Sequence, residues 1–179
     1  MSDASDHDAG VRISVIDSNT RDDNGFLARE RALHPNYIGC HDVRSMVANV
    51  LHRAGGRKIA RLRIYGHGHE GSQRVGGGQK GDNSQRFWID QRGILHHRDL
   101  LSLWRNHFTR HAVVQLHGCE VGAGWEGRKL LRDLALMWHV RTMAAVKEQH
   151  ALAGSAFEGR YIEADGSIRN VPVHVHDTN

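Results

Sequence analysis

A chain of 179 residues with 39% hydrophobic and 25% charged side chains has the size of one domain and enough apolar mass for its own core, which excludes global disorder. The opening MSDASDHDAG is acidic and lacks an apolar stretch, and no run of eighteen apolar residues occurs, so neither a signal peptide nor a membrane span is expected. The formal charge of +4 comes from scattered Lys and Arg without a readout motif, which argues against nucleic-acid binding.

These features describe a single domain over residues 1–179, with residues 1–10 read as a flexible tail. The expected location is cytoplasmic, and export through a specialised secretion system is compatible with it. Two cysteines, Cys40 and Cys119, cannot build a disulfide framework and suit a reducing compartment. Fifteen histidines are the unusual number; His7, His41, His150 and His176 stand in polar surroundings and read as solvated surface.

Along the chain, Val11 to Asp17 reads as a buried strand, and residues 18–40 as a long irregular connection. Val43, Met46, Val47, Val50 and Leu51 share one helical face behind a possible Asp42 cap, and AGG at 54–56 ends that helix. A strand at Ile59 to Tyr65 follows. Beyond a glycine-rich stretch come a short strand at Phe87 to Ile89 and one helix carrying Leu100, Leu101, Leu103, Trp104 and Phe108. Ala112 to Leu116 reads as a central strand, Trp125 to Trp138 as a helix and VRTMAAV as a strand. The tail, RYIEADGSIRNVPVHV, has the pattern of an edge hairpin around its DG turn. The alternation predicts an α/β domain with a mainly parallel sheet and helices on both faces.

The stretch IYGHGHEGSQRVGGGQKGDNSQ contains Gly66, Gly68 and Gly71 in the spacing G-x-G-x-x-G. A dinucleotide loop needs a helix directly after the glycines to hold the pyrophosphate, and none is patterned here. A second reading is a zinc-dependent hydrolase, in which His67 and His69 beyond one strand meet His117 and Cys119 beyond another as nitrogen and sulfur ligands. In a third, an imidazole deprotonates a thiol that attacks a carbonyl, because a parallel sheet gathers reactive groups at the carboxyl ends of its strands. Gly68 then gives close approach, and the N–H groups of Gly68 and Cys119 form an oxyanion hole. The segment from Ser72 to Gln85 is expected to be a mobile loop over the site.

RLRIYGHGHEG and AVVQLHGCEVGAG, each an apolar strand ending in His-Gly or in a small residue plus Cys, resemble the caspase-like, or clan CD, cysteine peptidases. The likeness is greatest to bacterial caspase-like domains, in which glycines, a helix and another strand follow the cysteine strand. The resemblance spans about Val11 to Val146 and implies a three-layer α/β/α sandwich. It implies an endopeptidase with His67 and Cys119 as dyad, no cofactor, no metal, and a protein or peptide substrate. Regulation by a partner, and a role as a toxin or effector, are compatible with it. His117, two before the cysteine, together with Glu120 and His69 are the expected substrate contacts. A caspase-like binding domain without catalysis is the remaining alternative.

Overall fold

The computed structural model describes residues 10–18, 25–77, 84–149, 157, 159–166 and 173–177. Seven strands form one sheet, in the spatial order Val173–His176, Tyr161–Asp165, Arg141–Ala145, Phe108–His117, Ile59–Tyr65, Val11–Asp17, Ile38–Cys40. Its centre is β1 (Val11–Asp17), β2 (Ile38–Cys40), β3 (Ile59–Tyr65), β7 (Phe108–His117) and β8 (Arg141–Ala145), all paired in parallel. β9 (Tyr161–Asp165) and β10 (Val173–His176) run antiparallel and make the hairpin at the edge. A small antiparallel sheet joins β4 (Gly68–His69), β5 (Ser72–Arg74) and β6 (Trp88–Ile89).

The helices are α1 (Phe26–Leu33), α2 (Val43–Ala54), α3 (Gln91–His96), α4 (Arg98–Ser102) and α5 (Gly124–Trp138). The step from β1 to β2 runs one way across the sheet, and every later parallel step runs the other way. Right-handed crossovers therefore put α1 on one face and α2 to α5 on the opposite one. Strand alternation agrees: Ile16 and Tyr65 pack with Phe26 and Leu27 of α1. Val15, Ile64 and Leu116 instead join Met46, Val50, Leu130 and Leu134 of α2 and α5. The chain is thus an α/β protein with three layers. Trp104 and Trp138 lie 5.4 Å apart between the helices. Their indole N–H groups donate to Val47 O at 3.4 Å and Leu101 O at 3.0 Å, so burying them leaves no donor unpaired. No helix among the described residues is long and apolar enough to cross a membrane.

Several strands and helices lie where their patterns predict, including the Asp42 cap, whose Oδ1 accepts from Ser45 N at 2.7 Å. Residues 18–40 are not irregular throughout, since they contain α1 and β2. α1 starts from Gly25 at φ 71 without a side-chain cap, and its buried face is only Phe26, Leu27 and Glu30. That is too short a stripe to show a period. The helix expected within residues 93–108 is broken into α3, α4 and a 3₁₀ segment, Leu103–His107, because His97 leaves the helical region at φ −110 and ψ 17. Phe108 already belongs to β7, which is longer than the apolar run and steps its register between Ile59↔Phe108 and Arg61↔Val113. The strand expected at 87–89 is Trp88–Ile89, after a 3₁₀ turn at Gln85–Phe87. Ser72 to Arg74 form a buried strand rather than a loop; residues 78–83, the tail at 1–9 and the hairpin turn at 167–172 lie outside the described residues.

Candidate active site

β3 and β7 are adjacent, and their register pairs Tyr65 with His117. The two turns that follow therefore leave the sheet side by side at its carboxyl end. Gly66 N donates to His117 O at 3.4 Å, and Arg74 N donates to His67 O at 2.8 Å, so His67 is held between β3 and the small sheet. A Cβ placed on Gly68 would lie 2.9 Å from Cys119 O and 3.1 Å from Gly118 C. That is closer than real side chains approach backbone, and only glycine lets the His67 turn lie against the Cys119 turn.

The Cys119 turn is fastened on both flanks. Glu120 N donates to Lys147 O at 3.1 Å and Gly122 N to Ala145 O at 2.7 Å, while Gly71 N donates to Val121 O at 3.1 Å. Glu120 takes the left-handed backbone at φ 58, a conformation that costs energy for a residue with a side chain and that concentrates at functional sites. The Cys119 thiol is half-buried. Gln149 N donates to Sγ at 3.3 Å, and Sγ lies 3.8 Å from Gln149 O. Burial pushes the thiol above its ordinary pKa; the Gln149 amide pulls it down, and the charges of Glu148 and Glu120 push it up further. Cys40, by contrast, is buried, with its thiol donating to Val75 O at 3.0 Å. Burial and the nearby Asp17 push it still higher, which marks it as inert.

The structure separates the three expected substrate contacts. Glu120 and His69 are exposed at the rim, with the His69 ring 5.2 Å from Trp88. His117 is 2% exposed and lies between Tyr65 and Phe157, each 4.5 Å from it centre to centre. Its side chain is part of an aromatic stack under the site rather than of the site's surface. Burial, with Arg63 and His34 nearby, lowers its pKa to about 3. The zinc grouping does not form: among the described residues no set of three His, Cys, Asp or Glu side chains is placed to hold a metal ion. Two neighbours of the site carried no sequence signal. Gln149 reaches Cys119 only because β8 pairs beside β7. Gln73 is fully buried, and its Oε1, without a hydrogen-bond partner, would lie 2.8 Å from a Cβ on Gly118.

A family model described as a domain of unknown function, DUF4347, matches residues 13–159, well over half of the chain. The chain belongs to the DUF4347 family. No curated protein and no solved structure matches it. Within this DUF4347 chain the matched region holds both turns of the candidate site, the α1 layer and the α2 to α5 layer.

Proposed function

We propose that this DUF4347 chain is a caspase-like cysteine endopeptidase with Cys119 as nucleophile and His67 as general base and acid. The observation that carries the reading is the Tyr65↔His117 register, which lays His67–Gly68 against Gly118–Cys119 at the open end of a parallel sheet, where such folds collect their chemistry. Because burial raises the Cys119 thiol, the resting group is the protonated thiol. His67 removes its proton as Sγ attacks the substrate carbonyl, and the N–H groups of Gly68 and Cys119 hold the oxyanion. The scissile C–N bond breaks as His67 returns the proton to the leaving amine, leaving a thioester on Cys119. Water, deprotonated by His67, then releases the carboxylic acid and restores the thiol. No cofactor enters this cycle. Two free thiols fit a reducing compartment such as the cytoplasm.

The test pairs a fluorogenic peptide library with a peptidyl acyloxymethyl ketone. The unsubstituted protein should cleave members of the library and gain one adduct at Cys119. Cys119→Ala and His67→Ala should each lose at least a thousandfold in kcat/KM with an unchanged melting temperature, since base and nucleophile act as a unit. Cleavage by Cys119→Ala at a comparable rate refutes the assignment.

A further inference from the structure

Beside the His67 turn, on the α5 side, the small sheet and the starts of α3 and α5 border an open cavity of about 430 Å³, within the range of ligand sites. Glu70, Asp90 and Glu126 line it, together with Arg92. Glu70 and Glu126 stand on one wall, where the turn before β5 meets the start of α5. A Cβ on Gly71 would lie 2.5 Å from Glu126 Cβ, and one on Gly124 would lie 1.7 Å from Glu70 Oε1. Both glycines sit at positive φ, 66 and 59; Gly71 lets its turn lie against the backbone of Glu126, and Gly124 leaves the space that the Glu70 carboxylate occupies. Neither Glu70 nor Glu126 has an ion-pair partner among the described residues.

Charge alone would be a solvated rim, but the same cavity holds unanswered polar groups. Ser72 is 2% exposed and its Oγ has no hydrogen-bond partner. Strand alternation turns Ser72 to the side of Arg74, which lies 5.6 Å from the Trp88 ring on the cavity wall. Gln85 Oε1 is a second buried acceptor without a donor, and Gln91 Nε2 a buried donor without an acceptor. The Gln91 amide is not free to turn: Lys129 Nζ donates to its Oε1, which leaves Nε2 as the unpaired end of a residue that lines the cavity. A buried polar atom costs roughly 1–3 kcal/mol when unpaired, so this set calls for a ligand carrying several donors, a positive charge and one acceptor.

We infer that the cavity binds the side chain of a basic residue, arginine before lysine, in a polypeptide. The guanidinium pairs with the carboxylates of Glu70 and Glu126 and donates to Ser72 Oγ and Gln85 Oε1, while Gln91 Nε2 donates to a carbonyl of the same peptide. A planar fork of five N–H donors matches two carboxylates and two neutral acceptors better than an ammonium does. A metal ion is a poor alternative occupant, since no metal-binding set occurs among the described residues. That the bound residue belongs to a substrate rests on the peptidase reading; the binding itself does not.

Binding is therefore measured apart from cleavage, by calorimetry on the Cys119→Ala protein. The probes are Nα-acetyl-arginine amide and its neutral isostere, Nα-acetyl-citrulline amide. The arginine compound should bind at least tenfold more tightly, and Glu70→Gln/Glu126→Gln should remove that advantage. Equal binding of the two compounds, or no binding of either at 20 mM, overturns the inference, as does an unchanged preference in the double variant. Should the double variant melt early, Ser72→Ala replaces it and should weaken the arginine compound about threefold; no weakening counts against the site. Arginine binding without any peptide cleavage would refute the peptidase reading and keep the cavity. Cleavage without arginine binding would do the reverse.

Discussion

Replacing His117 by Phe should make the protein more stable, and increasingly so in acid. The ring is stacked between Tyr65 and Phe157, and its Nε2 is buried without a partner. Phenylalanine keeps a flat ring and removes that unpaired atom, a gain of about 1 kcal/mol near pH 7. The pH dependence adds to it. In the unfolded chain this histidine binds a proton below its ordinary pKa of 6.5, whereas in the fold it does so only near about 3. Between those values the unfolded state holds more protons, so stability falls as pH falls. At about 1.4 kcal/mol per pH unit, the loss from this one group between pH 7 and pH 5 is about 2 kcal/mol. The gap between His117→Phe and the unsubstituted protein should therefore widen from about 1 kcal/mol at pH 7 to about 3 kcal/mol at pH 5. Urea unfolding at both pH values measures it, and taking the difference cancels the other histidines. Stability curves that stay parallel from pH 7 to pH 5 would refute the reasoning.

Glu148→Gln removes a charge that raises the Cys119 thiol, so the rise of iodoacetamide labelling at Cys119 with pH should move to lower pH; an unmoved profile means that Glu148 does not act on the sulfur. In the same experiment Cys40, whose thiol donates inside the core, should label only after unfolding. Gly68→Ala would set a methyl group 2.5 Å from Val121 Cγ2 and 2.9 Å from Cys119 O. It should cost about 1–3 kcal/mol of stability and at least tenfold in peptide cleavage, and a variant with wild-type melting and kinetics would show that the two turns are not in contact.

The central strands were legible because β1, β3 and residues 112–116 of β7 are short, largely apolar runs, and α2 and α5 because their buried residues recur at helical spacing. Placing His67 beside Cys119 followed from those strands and from the rule that parallel neighbours align their carboxyl ends. α1 and β2 were not legible, since three buried positions in one and three residues in the other carry no period. His117 was misleading for a different reason. Its neighbours in sequence, Leu116 and Gly118, do not reveal that β7 turns its ring inward onto Tyr65, and a polar residue next to a candidate nucleophile reads as a contact. Gln149 and the cavity behind His69 were beyond reach. Both are made by segments that meet only after β8 and α5 have docked, and nothing in KEQH or in FWID announces a meeting.

The way the Cys119 turn is fastened also sets the order in which the candidate site can form during synthesis. His67 leaves the ribosome early, but the Cys119 turn comes to lie beside it only once β7 has emerged and paired with β3 across a long loop, a slow non-local step. Even then the turn lacks its outer fastenings, because the carbonyls of Ala145 and Lys147 and the amide of Gln149 are translated after α5. A partly made chain thus carries His67 and Cys119 without the fastened turn, and under the proposed peptidase reading the nascent polypeptide is spared that chemistry until almost all of the sheet is in place.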